Sequence, residues 1–181
     1  LASNLNDGNL RVLDASYHLP TTGRDAHKEY DERHIPGALF FDIETHSDPK
    51  TDLPHMLPSA EQFGRDMGAL GIANGHRIVV YDTVGATGAA RVWWTLRVFG
   101  HKAVAVLDGG LPKWLAEGRP VTAAVPSYPS AHYTASRNAA LVRSLDQVRG
   151  NLTSHAEQVL DARSAGRFAA TEPEPRKGLR G

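Results

Sequence analysis

The chain has 181 residues, and its 20 Lys and Arg side chains balance 20 Asp and Glu side chains, so the formal net charge at pH 7 is zero. No basic block is present to follow a phosphate backbone, which argues against a nucleic-acid partner. No apolar run approaches the roughly 20 residues of a membrane span, which argues against a membrane partner. Cysteine is absent. These residues therefore contain no disulfide, thiolate metal site or Cys nucleophile.

The first 120 residues alternate between short apolar strands and helices. Predicted strands cover residues 11–15, 38–43, 77–82 and 103–107, and predicted helices cover residues 25–33, 59–70, 89–99 and 111–117. Ser59 with Gln62 three residues later is the capping-box pattern that starts a helix. Strands that alternate with helices at this spacing predict an α/β fold, with a central mainly parallel sheet and helices on both faces.

The sequence also predicts a second domain that has only begun. Residues 126–136 are rich in Pro, Ser, Ala and Tyr without a period, which is typical of an interdomain linker. Ser144 with Gln147 predicts another helix. The predicted strand Val12-Leu13-Asp14-Ala15-Ser16 recurs as Val159-Leu160-Asp161-Ala162-Arg163, which predicts a second strand over residues 159–163. A repeat at this distance indicates two tandem copies of one fold. We predict a first domain over 1–125, a linker over 126–136 and the start of a second domain over 137–181, with a polypeptide that continues past Gly181.

The loop that follows the third predicted strand has the geometry of a reactive loop. It runs from Asp82 through Gly85 to Gly88 and leads into a helix N-terminus, which favours an anion. An aspartyl-phosphate enzyme would need a second Asp where Val84 stands, and a dinucleotide site would need a G-x-G-x-x-G motif that is not present. The third interpretation is a loop with the shape of an active site but without the reactive group.

Three further side chains are candidates for a site. Arg167 and Arg176 flank a Pro-Glu-Pro loop, and a guanidinium grips a carboxylate through two parallel hydrogen bonds. Alternatively, these arginines pair with Glu172 and Glu174 on the surface, where each pair contributes little. His55 is either a proton relay or a solvated loop histidine. The nine histidines show no H-E-x-x-H pairing, and we predict no metal.

Motifs along nearly the whole chain resemble the two-domain rhodanese family, in the order in which that family has them. They are Leu10 to Ala15, Glu32-Arg33-His34-Ile35-Pro36-Gly37-Ala38, Phe40-Phe41-Asp42-Ile43, His55-Met56-Leu57-Pro58, Val80-Tyr81-Asp82, Arg91-Val92-Trp93-Trp94, Leu107-Asp108-Gly109-Gly110 and Gly166-Arg167-Phe168 with Thr171 to Arg176.

The resemblance implies a catalytically silent N-terminal domain with Asp82 at the position of the catalytic Cys, which belongs to the C-terminal domain and lies outside these residues. The implied reaction moves sulfane sulfur from 3-mercaptopyruvate, through a Cys persulfide, to a thiol acceptor such as thioredoxin or to cyanide, and releases pyruvate without a cofactor. Arg167 and Arg176 are then expected to hold the substrate carboxylate. His55 and Glu44 are expected to form a proton relay.

Two other functions stay open at this point. A thiosulfate sulfurtransferase of the same family would share the fold and the persulfide. A cysteine-free module that acts only in binding would use the fold without the chemistry. We expect a cytoplasmic protein, or a mitochondrial one if a targeting peptide precedes Leu1.

Overall fold

The computed structural model describes residues 1–85 and 87–174. The chain divides into two compact units. The first comprises Leu1–His18 and Asp25–Leu141, and the second comprises Leu19–Arg24 and the described residues from Val142 onward. The domain boundaries predicted at residues 125 and 137 stay predictions.

The centre of the first unit is a four-stranded parallel sheet with the strand order β2-β1-β3-β4. Leu13 pairs with Leu39 on one side and with Val80 on the other, and Val80 pairs with Val106. The strands are β1 (Leu10–Asp14), β2 (Ala38–Phe40), β3 (Arg77–Tyr81) and β4 (Val104–Val106). This arrangement confirms the predicted α/β fold with a parallel sheet.

Helices connect the strands of the first unit, and two helices of the chain begin at the predicted caps Ser59 and Ser144. The first unit contains α1 (Ala26–Glu32), α2 (Ala60–Ala69), α3 (Thr87–Val98) and α4 (Gly110–Ala116), and the second contains α5 (Leu145–Ser154) and α6 (Ala165–Phe168). The Ser59 side chain accepts a hydrogen bond from the Gln62 N–H at 3.1 Å. Ser144 and Gln147 form a complete capping box at the start of α5. Both caps satisfy N–H groups that have no partner within the helix.

Hydrophobic clusters lie on both faces of the sheet because the side chains of a strand alternate between its faces. One cluster joins Leu13 and Val80 to Phe63 of α2, and it also contains Leu96 of α3. The other cluster, on the opposite face, includes Val12, Tyr81 and Trp114 of α4. The sheet is thus covered on both sides, as parallel sheets require.

Residues 126–136, the predicted linker, are extended and packed against α2. The Tyr133 ring is buried and meets the Phe63 ring edge-on. A Cβ added to Gly68 would lie 2.5 Å from the carbonyl oxygen of Ala131. Glycine at this position of α2 therefore permits the close approach of this segment, which takes part in the packing of the first unit.

The strand predicted over residues 159–163 is not formed, and that prediction is wrong for the structure described. Val159 and Leu160 are 66% and 83% exposed. A strand exists only through hydrogen bonds to a neighbouring strand, and within residues 142–174 no other strand is present to pair with this one. The apolar sequence alone does not supply the partner.

Burial of His101 makes the stability of the first unit dependent on pH. Its Nε2 lies 2.9 Å from the carbonyl oxygen of His76, and its Nδ1 lies 3.2 Å from the hydroxyl of Tyr133. Since a carbonyl only accepts, Nε2 carries the proton and Nδ1 accepts from the tyrosine hydroxyl. Burial lowers the pKa of His101 below its ordinary value, although the hydrogen bond to the His76 carbonyl partly opposes that fall.

We expect the free energy of unfolding to fall as the pH drops below about 6.5, because His101 takes up a proton more readily in the unfolded chain. The His101→Asn variant should show a weaker fall, although its stability at pH 7.5 is lower. Urea unfolding between pH 7.5 and 5.5 measures both slopes. The exposed His132 serves as the control, since His132→Gln should keep the wild-type slope. Equal slopes for wild type and His101→Asn would contradict this assignment.

Candidate functional site

Asp82 lies at the carboxyl end of β3, where the chain turns into α3. The residue is 1% exposed. One carboxylate oxygen accepts from the Val84 N–H at 3.1 Å, and the other accepts from the Ala89 N–H at 3.0 Å. The carboxylate is thus held by backbone N–H groups at the start of a helix, where a negative charge is stabilised.

This geometry favours the third interpretation of the loop, which is an active-site shape without a reactive group. A buried carboxylate that already accepts two backbone hydrogen bonds is not presented to a substrate. The neighbouring Asp14 is buried too, and this burial raises its pKa. The negative charge of Asp82 makes a smaller contribution in the same direction. Hydrogen bonds from the Ser16 hydroxyl and N–H to Asp14 partly offset that rise.

Replacing Asp82 with Ala should destabilise the first unit by about 1–3 kcal/mol, because the buried N–H of Ala89 and the partly buried N–H of Val84 lose their acceptor. Asp82→Asn should cost less, since its amide oxygen still accepts one of these bonds. Urea unfolding monitored by circular dichroism measures both changes. An Ala variant as stable as wild type would show that water replaces the carboxylate without cost.

The structure brings Glu44 and His55 together in the loop between β2 and α2. Nε2 of His55 lies 2.7 Å from Oε1 of Glu44. The His55 side chain is 19% exposed and the Glu44 side chain is 57% exposed, so the pair is partly open to solvent. Asp42 fixes the Glu44 side of the loop, since its carboxylate accepts from the Glu44 N–H at 2.9 Å and from the Thr45 hydroxyl at 2.6 Å. A carboxylate beside an imidazole can orient the ring and exchange a proton with it.

Two neighbours of His55 were missed by the sequence reasoning. The Tyr17 ring meets the imidazole edge-on, with 4.9 Å between ring centroids. Arg91 of α3 donates from Nη2 to the carbonyl oxygen of His55. Burial lowers the pKa of Arg91. The available signal was a single charged residue within the apolar stretch Ala89-Ala90-Arg91-Val92-Trp93-Trp94 of a predicted helix.

Arg167 belongs to the second unit and binds a carboxylate there. Its Nη2 and Nε lie 2.6 and 3.1 Å from the same oxygen of Glu174, whose other oxygen lies 2.6 Å from Nη1 of Arg163. The Glu174 side chain is only 7% exposed, and the hydrogen bond from Arg167 is the largest cause that lowers its pKa. Glu172 accepts from the Ser164 hydroxyl instead. Arg176 lies outside the described residues.

Neither a metal cluster nor a membrane-spanning helix is found in the parts of the chain that the structure describes. Within residues 1–85 and 87–174, no group of three or more His, Cys, Asp or Glu residues is arranged to hold a metal ion. The helices of those same residues are all too short or too polar to cross a bilayer.

The family follows from a direct match. A family model described as a rhodanese-like domain matches residues 1–117. The chain belongs to the rhodanese family. The crystal structure of SseA from Escherichia coli, a 3-mercaptopyruvate sulfotransferase with the rhodanese fold, superposes with a TM-score of 0.89 at 36% identity, and the match covers 98% of this chain and 68% of SseA. The fold and the order of its elements are therefore those of a rhodanese.

The relatives that match this rhodanese chain fall into two groups, one named for the sulfur donor 3-mercaptopyruvate and one named for thiosulfate. The 3-mercaptopyruvate sulfurtransferase of Homo sapiens is 45% identical over 172 residues, which cover 94% of this chain and 58% of the relative. The thiosulfate sulfurtransferase of Rattus norvegicus is 50% identical over 169 residues, which cover 92% of this chain and 56% of the relative. The chain thus spans somewhat more than half the length of these relatives.

Proposed function

We propose that this rhodanese chain is part of a sulfurtransferase whose donor is 3-mercaptopyruvate. The observation that carries the proposal is the Glu44–His55 pair, with 2.7 Å between carboxylate and imidazole. Relatives at about 45% identity that are named for this donor support it. A transfer from mercaptopyruvate needs a proton at the departing carbon, and the pair is a group that can supply one.

The reaction in this proposal uses a cysteine thiolate outside Leu1–Gly181. The thiolate attacks the sulfur of mercaptopyruvate, a sulfur–sulfur bond forms and the carbon–sulfur bond breaks. The electron pair of the broken bond stays with the departing fragment as the enolate of pyruvate, and protonation at carbon gives pyruvate. A second thiolate then attacks the outer sulfur of the persulfide, takes it, and restores the cysteine.

The residues of this chain have separate roles in the proposal. His55, oriented by Glu44, delivers a proton to the enolate. Arg167 and Arg176 hold the substrate carboxylate, which requires Arg167 to exchange the Glu174 carboxylate for that of the substrate. As parts of the same proposal, the acceptor is a thiol such as thioredoxin and the compartment is the cytoplasm, where thiols stay reduced.

The test is steady-state kinetics with both donors, on a polypeptide that continues past Gly181 and carries the cysteine. We expect His55→Gln to lower kcat for mercaptopyruvate by about 10²-fold, the lower end of what a general acid contributes. Arg176→Ala should mainly raise KM for mercaptopyruvate, because it removes a ground-state contact to the carboxylate. The control is His132→Gln, which replaces an exposed histidine and should leave kcat and KM unchanged. The proposal fails if thiosulfate is the better donor and neither variant changes mercaptopyruvate turnover.

The second candidate function is transfer from thiosulfate. The 50% identity to the rat thiosulfate sulfurtransferase favours it. The same kinetics decide between the donors, because thiosulfate carries no carboxylate for Arg176 to hold and produces no enolate. A thiosulfate enzyme should therefore tolerate His55→Gln.

A further inference from the structure

His55 has an uncommon backbone conformation for a residue with a Cβ. Its φ angle is +58°, in the left-handed region. A side chain with a Cβ is unfavourable there because the Cβ approaches the carbonyl oxygen. Residues other than Gly keep such a conformation when surrounding contacts hold it, and they concentrate at functional sites.

The contact that holds His55 comes from α3. Nη2 of Arg91 donates to the His55 carbonyl oxygen, and the two residues are 36 positions apart in the chain. The guanidinium is itself fixed, since it lies over the Trp94 ring with 4.7 Å from its central carbon to the ring centroid. The indole N–H of Trp94 donates to the Leu141 carbonyl at 3.0 Å. Arg91 thus projects from a rigid helix face.

The opposite side of the same loop has its own anchors. Asp42 accepts from Glu44 and Thr45. The Ser47 hydroxyl donates to the Ile43 carbonyl at 2.6 Å. The Asp48 N–H donates at 2.9 Å to the carbonyl of Met56, and so joins this part of the loop to the residue after His55. Glu44 is therefore held within the loop. The His55 carbonyl, in contrast, accepts its described hydrogen bond from Arg91 of α3, outside the loop.

We propose that Arg91 is a positioning residue that sets the left-handed backbone of His55 and so directs its imidazole between Glu44 and Tyr17. The consequence of this positioning for turnover rests on the proposed function. Without the guanidinium, the peptide at residue 55 rotates towards the common backbone regions and the imidazole leaves Glu44, while Glu44 keeps its place.

The first test is NMR on the chain Leu1–Gly181. The unmodified chain should show nuclear Overhauser effects between the Arg91 side chain and the His55 backbone, and between the His55 and Tyr17 rings. Absence of the Arg91 contact overturns the proposal without any variant. Arg91→Met keeps an unbranched stem for packing on Trp94 but has no donor. It should lose the His55–Tyr17 contact and change the Glu44 carboxylate shift, while the backbone shifts of Glu44 stay close to those of the wild type.

The controls separate positioning from general destabilisation. Arg97→Met removes an exposed arginine of the same helix, which donates to the Lys102 carbonyl, and should leave the His55 ring contacts intact. Arg91→Lys retains a charged donor group, although without the fork geometry of the guanidinium, and should restore part of the contact between the rings. If Arg91→Met folds and keeps the full His55–Tyr17 contact, Arg91 does not position His55.

The second test is turnover of mercaptopyruvate by the longer, cysteine-bearing polypeptide. Arg91→Met should lower kcat about 10–100-fold with little change in KM, because a misplaced proton donor affects the transition state rather than binding. If the activity falls only in proportion to the amount of folded enzyme, so that kcat per folded molecule is unchanged, Arg91 has a structural role only. If the wild type does not use mercaptopyruvate, the proposed function fails, and the NMR result still decides the role of Arg91.

Discussion

Replacing Gly88 with Ala is expected to destabilise the first unit by about 3 kcal/mol, at the upper end of what overpacking costs. Gly88 lies in the first turn of α3, and a Cβ added there would lie 1.9 Å from the carbonyl oxygen of Ala15 and 3.1 Å from its carbonyl carbon. Both atoms belong to the backbone just after β1, so no side chain can rotate away. The helix must move away from the sheet to make room.

A matched control exists in α5, where Gly150 has no atom within 4 Å of an added Cβ. Gly150→Ala should stabilise α5 by about 0.5–1 kcal/mol, because Ala loses less backbone entropy in a helix. Urea unfolding followed by circular dichroism measures both variants. Similar free-energy changes for the two substitutions would contradict the steric argument for Gly88.

The Gly88 contact also matters for the candidate site. The adjacent Ala89 supplies an N–H to Asp82, and Arg91, one turn along α3, contacts His55. A shift of α3 would disturb the cap at Asp82 and the anchor of His55 together. Gly88→Ala should therefore change the His55 environment as well as the stability, whereas Asp82→Asn should change only the stability.

The order of elements in the first unit was predictable because the signals are local. Apolar runs and capping pairs such as Ser59 with Gln62 mark strands and helix starts within a few residues. The strand predicted over 159–163 failed because pairing is not local. Val159-Leu160-Asp161-Ala162 has the sequence of β1, yet β1 is a strand only because β2 and β3 lie beside it.

The candidate site was predictable only in part. The sequence spacing gave no reason to pair Glu44 with His55, and the family resemblance supplied that expectation. Arg91 and Tyr17 were missed since they reach His55 from distant segments, and a contact between distant segments leaves no periodic pattern in the sequence. For Arg167, the alternative of a pair with Glu174 agrees with the described contacts, and a role in substrate binding stays a proposal.

Replacing Phe63 with Ala should destabilise the first unit by about 3–5 kcal/mol, the usual cost for a fully buried Phe. Phe63 is 0% exposed, and its ring stacks on Phe99 with 4.3 Å between centroids. It also meets the Tyr133 ring at 5.9 Å. Its removal therefore weakens two attachments at once, that of α2 to the residue directly after α3 and that of the 126–136 segment to α2.

Phe168 provides the comparison, because it is 63% exposed and Phe168→Ala should change the free energy of unfolding by less than about 0.5 kcal/mol. Phe63→Leu should fall between the two, since Leu fills part of the cavity. Thermal and urea unfolding measure all three. A loss below about 1.5 kcal/mol for Phe63→Ala would mean that Phe99 and Tyr133 close the cavity, and that Met67 holds α2 to the sheet instead.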